Sequence, residues 1–261
     1  MNFRNQLVGS VMKPDYYLSL IKRSTGKAVT YLILLTLITS ILYGIRVSLM
    51  WNGMVDTQGK EFENKSPDFI FANGEIMVKA TMPYVISKTN KTLFIVDTSG
   101  KSDEGVLKGY DKGVFIGKSK IVNKKSSLET SSYDLSTIKN FTFTKADVVK
   151  AMPWIKWANI LIVLFMFIFG IIANLGAALL VGICGWIASK IMSCQIVFDD
   201  LYKIGIYALT MPLFLEMVKN IAGVNVPLFR VAFYIISIGY TVKVLMTVKN
   251  KSNIEVDEAK Q

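Results

Sequence analysis

The chain has 261 residues, 52% of them hydrophobic, and a mean hydropathy of +0.41. That is too apolar for an ordinary water-soluble domain of this length. There is no histidine, which excludes His-activated nucleophiles, His metal ligands and His proton switches, and the formal charge is +11.

A basic balance suggests nucleic acid first. No basic helix, RNA-binding signature or zinc motif supports that here, and lysine retained on the inner side of a membrane explains the charge better. The two cysteines, Cys184 and Cys194, lie ten apart and match no zinc or redox spacing. They read as small buried hydrophobes, so neither metal nor cofactor is expected.

Residues 1–27 carry Arg4, Lys13, Lys22, Arg23 and Lys27 and should stay inside. Phe3, Leu7, Val8 and Val11 share one helical face, with Arg4 and Lys13 off it, as in a helix lying on the inner membrane surface. Pro14 suits a second helix start, with Tyr16, Tyr17, Leu20 and Ile21 for burial. The reading is a lipid-facing stabiliser of topology, with a docking arm for a cytoplasmic partner as the sharper alternative. "STGK" (24–27) lacks the earlier glycine and following Ser/Thr of a phosphate loop.

Residues 28–50 form the first charge-poor run, ending beside Trp51, and read as an uncleaved membrane anchor. Residues 51–150 then fall outside. Their 15 lysines do not contradict this, because long translocated domains escape the positive-inside rule. Strand signals run through 68–122, with "ANG" as a hairpin turn at Gly74, "KTLFIV" as an apolar strand, and "GVFIGKSKIVN" as a strand broken or bulged at Gly117. Further strands are expected at 129–134 and 139–143, five or six in all. Phe69, Phe71, Tyr84, Tyr110, Phe115, Tyr133 and Phe141 are spaced for a core. "TKAD" (144–147) resembles a capping box opening a helix.

"FIVDTSG" (94–100) has the look of an aspartic-protease loop: Asp97, Thr98, Ser99, Gly100. That chemistry needs two carboxylates sharing a proton, and Ser99 interrupts the usual Thr-Gly step. The residues read as a turn capped by Asp97, not as a catalytic site. The Asn-x-Ser/Thr matches at Asn64, Asn90, Asn140 and Asn250 bear only on a eukaryotic secretory host, whereas the Lys, Ile and Asn bias suggests a bacterial gene.

Residues 151–192 are one long membrane helix or a hairpin turning at 173–176. Lys190, Lys203, Lys249, Lys251 and Lys260 all fall inside only with one helix, which favours four spans over five. Trp157 and Trp186 are 29 residues apart, roughly 43 Å of helix, as expected for two belt tryptophans. Further spans follow at 203–221, with Pro212 as a kink, and at 227–247; 248–261 is a polar, disordered tail. Gly170, Gly176, Gly182 and Gly185 suggest close helix packing, and Asn159 and Asn174 suggest glue between helices.

Four ionisable residues fall near the outer span ends: Arg46, Glu216, Lys219 and Arg230. Charges at that depth need partners or water. They are candidates for a ligand or ion site centred on Glu216, or for an ion pair fixing the bundle with Arg46 and Lys219 reaching outward.

The order of "GKAVTYLILLTLI" (26–38), "PDFIFANGEI" (67–76), "FIVDTSG" (94–100) and "YKIGIYALTMPLF" (202–214) resembles a domain-of-unknown-function family of integral membrane proteins from low-GC Gram-positive bacteria. One member of that family carries the label maltodextrin utilization protein. The "YALTMP" helix also resembles the Yip-type membrane-protein superfamily, which implies a role in membrane organisation and five spans. The resemblance brings no catalytic residues.

The expectation is therefore an α-helical integral membrane protein of the bacterial plasma membrane with about four transmembrane helices, or five with a hairpin at 173–176. An inserted small β-rich extracytoplasmic domain hangs between the first two, and the N-terminus is cytoplasmic. It is no enzyme; it serves an envelope or sugar-uptake system as an accessory or sensing component, beside a membrane transporter or envelope partner. The alternative is a small transporter or channel using Glu216 and Arg230.

Overall fold

The computed structural model describes residues 3–12 and 14–258. Lys13 and Lys260, both counted above toward the inner charge, lie outside the described residues. The chain divides into two compact units, one built from residues up to 50 and from 159 onward, the other from Trp51 to Ala158.

The helical unit begins with α1 (Phe3–Met12), a 3₁₀ turn (Pro14–Tyr16) and α2 (Tyr17–Ile21). These segments pack against the helical core, the second as expected from Tyr16, Tyr17, Leu20 and Ile21, while Phe3 and Leu7 of α1 also meet it. Tyr17 and Leu20 are fully buried. The most buried face of α1 is Gln6, Gly9 and Ser10, while Val8 is exposed. Gly9 has no side chain because Tyr16 fills the space: a Cβ there would sit 2.0 Å from its ring. Polar hydrogen bonds then anchor the arm. Ser10 Oγ donates to Thr210 Oγ1 at 3.1 Å, the Tyr17 hydroxyl donates to the Ser10 carbonyl at 2.8 Å, and the Tyr240 hydroxyl donates to the Val11 carbonyl at 2.9 Å.

The long helix α3 (Thr25–Lys65) follows. Ala28, Tyr31, Leu32, Leu35 and Thr36 are buried at i, i+3, i+4, i+7, i+8, one helical face. The helix does not stop near Trp51 as expected; from Trp51 to Lys65 no proline interrupts it, and Gly53 and Gly59 are the strongest helix-disfavouring residues there.

α5 (Ala158–Ile191) is one continuous helix through 173–176, so no hairpin forms there. α6 (Phe198–Ala208) and α7 (Thr210–Ala222) join at Leu209, three residues before Pro212. Proline lacks the N–H that would continue the ladder. The Thr210 hydroxyl caps the break, donating to the Tyr207 carbonyl at 2.7 Å. α7 ends at Gly223, φ +72°, whose left-handed backbone lets Val224 N–H reach the Lys219 carbonyl. α8 (Phe229–Glu258) runs well past 247. The tail expected to be disordered is thus helical to Glu258, a stretch with neither glycine nor proline. Four helices, Thr25–Lys65, Ala158–Ile191, Phe198–Ala222 taken together, and Phe229–Lys251, are long and apolar enough to cross a membrane.

Close approaches to α5 involve small residues. Gly182 abuts the Tyr202 backbone, Gly185 abuts Thr241, and Gly205 of α6 lies on the Ala178 carbonyl. Gly176, expected to pack likewise, faces open space.

The second unit contains eight strands, not five or six. β1 (Phe69–Ala72) and β2 (Glu75–Val78) form a hairpin whose two turn residues, Asn73 (φ 49°) and Gly74 (φ 88°), give the primed geometry that matches strand twist. β8 (Thr142–Thr144) pairs on the other edge of β1. The larger sheet has the order β3 (Tyr84–Lys88), β4 (Thr92–Val96), β5 (Lys112–Ile116), β6 (Lys120–Lys124), β7 (Thr130–Asp134). Only β4 and β5 run parallel. The stretch read as one broken strand is the β5–β6 hairpin, turning at Gly117, whose N–H donates to the Lys120 carbonyl. Leu93, Ile95, Phe115 and Val122 alternate inward from the strands, and Leu107 from a 3₁₀ turn (Glu104–Leu107) covers them. Tyr133 and Phe141, assigned to the core from spacing, are more than half exposed because they sit on an edge strand and a loop. α4 (Lys145–Ile155) opens with the expected capping box: Thr144 and Asp147 satisfy each other's backbone N–H.

Candidate functional site

Three helices of the helical unit present polar residues at helical spacing to one cleft of about 250 Å³. α3 supplies Thr36, Thr39, Ser40 and Tyr43; α5 supplies Gly170 and Asn174; α7 supplies Glu216 and Asn220, with Arg230 of α8 at the rim. Spacing of i, i+3, i+4, i+7 puts the α3 set on a single face. Gly170 opens room beside Thr36: a Cβ there would lie 3.2 Å from the Thr36 methyl.

The floor is a buried hydrogen bond in which Asn174 Nδ2 donates to Thr36 Oγ1 at 3.0 Å. Thr39 is committed to its own helix, donating to the Leu35 and Thr36 carbonyls. At the other end Glu216 Oε1 pairs with Arg230 Nη2 at 3.2 Å. The pair is asymmetric: the Glu216 side chain is 18% exposed, the Arg230 side chain 69%. The carboxylate is therefore part of the cleft wall, and the guanidinium is its exposed outer partner, also 5.8 Å from the Phe233 ring centroid.

The other two candidates have other partners. Arg46 donates to the Asn220 and Ile221 carbonyls, neutralising the C-terminal end of α7. Lys219 lies over the Phe229 ring, 4.7 Å from its centroid. Of the four residues read from sequence, the structure joins Glu216 to Arg230 and gives Arg46 and Lys219 to separate tasks. The hydroxyls at 36, 39, 40 and 43 were not singled out, although their shared face within an apolar run was a readable signal.

Chemically the cleft offers one carboxylate, one arginine and several hydroxyl and carboxamide groups. Among the described residues no cysteine lines it. Its volume is below the usual range of roughly 300 Å³ and upward for drug-sized ligands, so it suits a small polar solute.

Asp97 in the second unit is saturated. Its Oδ1 accepts from Ser99 N–H and Oγ, its Oδ2 from Ser102 N–H and Oγ, at 2.5–2.8 Å. Burial raises the carboxyl's pKa, but those four bonds outweigh it and hold the group well below the usual carboxylate range. Thr98 and Gly100 complete the turn, Gly100 at φ +79°. No oxygen of Asp97 is left to activate water. Among the described residues no cluster of three or more Cys, Asp or Glu could hold a metal ion.

A second polar assembly was missed. Lys203, on α6, is buried and donates to the Ile21 carbonyl at 2.6 Å and the Arg23 carbonyl at 3.1 Å. It pairs with Asp200 Oδ1 at 2.6 Å and Asp199 Oδ2 at 3.0 Å, while Thr25 donates to Asp199. The spacing Asp199, Asp200, Lys203 was legible as an i,i+3/i+4 set; the two carbonyls were not.

No curated protein and no solved structure matches the chain. A family described as "Protein of unknown function (DUF1189)" matches residues 5–245, which include both the cleft and the Lys203 assembly, and the chain belongs to that family.

Proposed function

We propose that the chain is a four-span protein of the bacterial plasma membrane, with its N-terminus cytoplasmic and residues 51–150 extracytoplasmic, acting without catalysis as an accessory or sensing component of an envelope or sugar-uptake system. The observation that carries the embedding is α5. It holds one charged residue, Lys190 near its end, and turns Ile160, Leu164, Ile168, Ile172, Leu179 and Ile187 outward. Such a surface in water would be an aggregation site; in lipid it is ordinary.

The sensing role is favoured by the β-bearing unit, a compact unit of its own that falls between the first two membrane-length helices in the chain. Maltodextrin-type sugar is the solute class suggested by the family resemblance. The test is cross-linking and co-purification from mild detergent. A stoichiometric transporter or envelope partner supports the reading, and a chain recovered alone under cross-linking conditions that trap known neighbours sinks it.

A second reading, a small transporter, is favoured by Glu216 in the cleft wall. Proteoliposome uptake of small polar solutes, abolished by Glu216→Gln with folding intact, would establish it; flux equal to that of empty vesicles would remove it.

A further inference from the structure

A different cleft, of about 370 Å³, lies where the N-terminal arm meets the start of α3. It is lined by Phe3, Gln6, Arg23, Lys27, Thr30, Tyr31 and Leu34. Two cations four residues apart face it, and among the described residues no acidic residue lines it. Asp199, which reaches Thr25 at the helix start, is already engaged by Thr25 and Lys203. The N-terminal end of a 41-residue helix adds further positive potential.

The opposite end of this cleft is apolar. Leu34 begins a stripe of exposed side chains on α3, continuing through Ile38, Ile41 and Ile45. Steps of four, three and four residues keep them on one face. From Leu34 to Ile45 the helix rises about 16 Å, close to the roughly 15 Å of one bilayer leaflet's hydrocarbon.

We propose that this cleft is a binding site for one anionic phospholipid, its phosphate between Arg23 and Lys27 and an acyl chain along Leu34, Ile38, Ile41 and Ile45. A free phosphate would use the cations and ignore the stripe; a zwitterionic lipid would use the stripe and gain little from the cations. Only an anionic amphiphile matches both ends. The side at which it binds is the one that the basic N-terminal residues mark as cytoplasmic. The inference rests on the reading of the chain as membrane-embedded.

Native mass spectrometry of the full chain in mild detergent tests it, titrating phosphatidylglycerol against phosphatidylcholine of the same acyl chains. Retention of phosphatidylglycerol should be at least about fivefold higher, each basic side chain near an anionic surface supplying a factor of that order. Lys27→Gln should reduce that preference severalfold, leaving the share of Arg23, and Lys27→Arg keep it; Lys27 is exposed, so neither threatens the fold. Leu34→Ser should weaken both lipids alike. Equal retention of the two lipids by the unaltered chain, or indifference to Lys27→Gln, overturns the assignment. Displacement of phosphatidylglycerol by millimolar inorganic phosphate overturns it in favour of a free-phosphate site. Alkaline carbonate extraction is run alongside: a chain stripped from membranes brings down the embedding and this site together, whereas a retained chain without lipid preference brings down this site alone.

Discussion

Arg46 occupies the space that a side chain on Gly223 would need. A Cβ on Gly223 would sit 2.0 Å from Arg46 Nη2, while Arg46 donates to the carbonyls of Asn220 and Ile221 just before it. Gly223 is also at φ +72°, where L side chains cost about 1–2 kcal/mol. Gly223→Ala should therefore destabilise by about 2–4 kcal/mol, the backbone cost plus the weakened charged hydrogen bonds. Thermal unfolding in detergent measures it. In a double-mutant cycle with Arg46→Met the two effects should be clearly less than additive, since removing the guanidinium removes the clash. Additivity would show that the two residues are independent.

Lys203 is expected to be the most sensitive charged position in the helical unit. Its side chain is 6% exposed and holds two carboxylates and two backbone carbonyls. Breaking a fully buried pair costs about 3–5 kcal/mol; the half-exposed Asp199 lowers the estimate to about 2–3 kcal/mol for Lys203→Met. Adding Asp199→Asn and Asp200→Asn should recover part of the loss, because unpaired carboxylates are then absent. No recovery would assign the cost to the carbonyls of Ile21 and Arg23.

What the sequence disclosed and what it hid separate along one physical line. The Asn73–Gly74 hairpin and the Thr144–Asp147 capping box were legible because local backbone geometry demands particular residue types there. The proximity of Glu216 and Arg230 was legible from a short connection between two helices. The burial of α1 was not, because its buried face is Gln6, Gly9 and Ser10, and a glycine against a tyrosine ring carries no apolar signal. The partners of Arg46 were hidden for a related reason: they are main-chain carbonyls, which have no sequence identity. The length of α3 beyond Trp51 was hidden because polar composition marks water, not the end of a helix.

Asp97 makes the β-bearing unit sensitive to acid. Its folded pKa lies below the ordinary carboxylate value, so the stability it contributes is fully present above about pH 4 and declines as pH falls toward the folded value. Asp97→Asn should lower stability by about 2 kcal/mol at neutral pH, because the amide nitrogen cannot accept from Ser99 or Ser102. The difference between the variant and the unaltered chain should shrink below about pH 4. A difference that stays constant down to pH 2 would mean the carboxylate's charge is not what the turn uses.

At the floor of the cleft, Asn174→Leu should cost only about 0.5–2 kcal/mol, the range for hydrogen bonds between helices in membranes. The Thr36 hydroxyl can turn to a carbonyl of its own helix, as Thr39 already does. Leucine would at the same time fill part of the cleft. If the cleft binds solute, ligand-dependent stabilisation should vanish in a variant that still folds; retained stabilisation would place binding elsewhere.

The proposed topology makes the sign of three positions unequal. With Cys184 and Cys194 replaced by serine, single cysteines at Leu128, Gln195 and Asn225 report each side, all three being exposed. Leu128 is fully exposed in the β-bearing unit, Gln195 lies between α5 and α6, and Asn225 lies between α7 and α8. Four spans with a cytoplasmic N-terminus require an impermeant thiol reagent on intact cells to label 128 and 225 and to spare 195 until the cells are opened. A hairpin within α5 would reverse the last two, labelling 195 and sparing 225. The continuous helix through 173–176 predicts the first pattern. It would also leave Lys190, Lys203, Lys249 and Lys251 inside, where basic residues near span ends are retained. The reversed pattern would require α5 to break at a point where its backbone ladder is uninterrupted, and would move the Lys27 cleft away from the same side as Lys203.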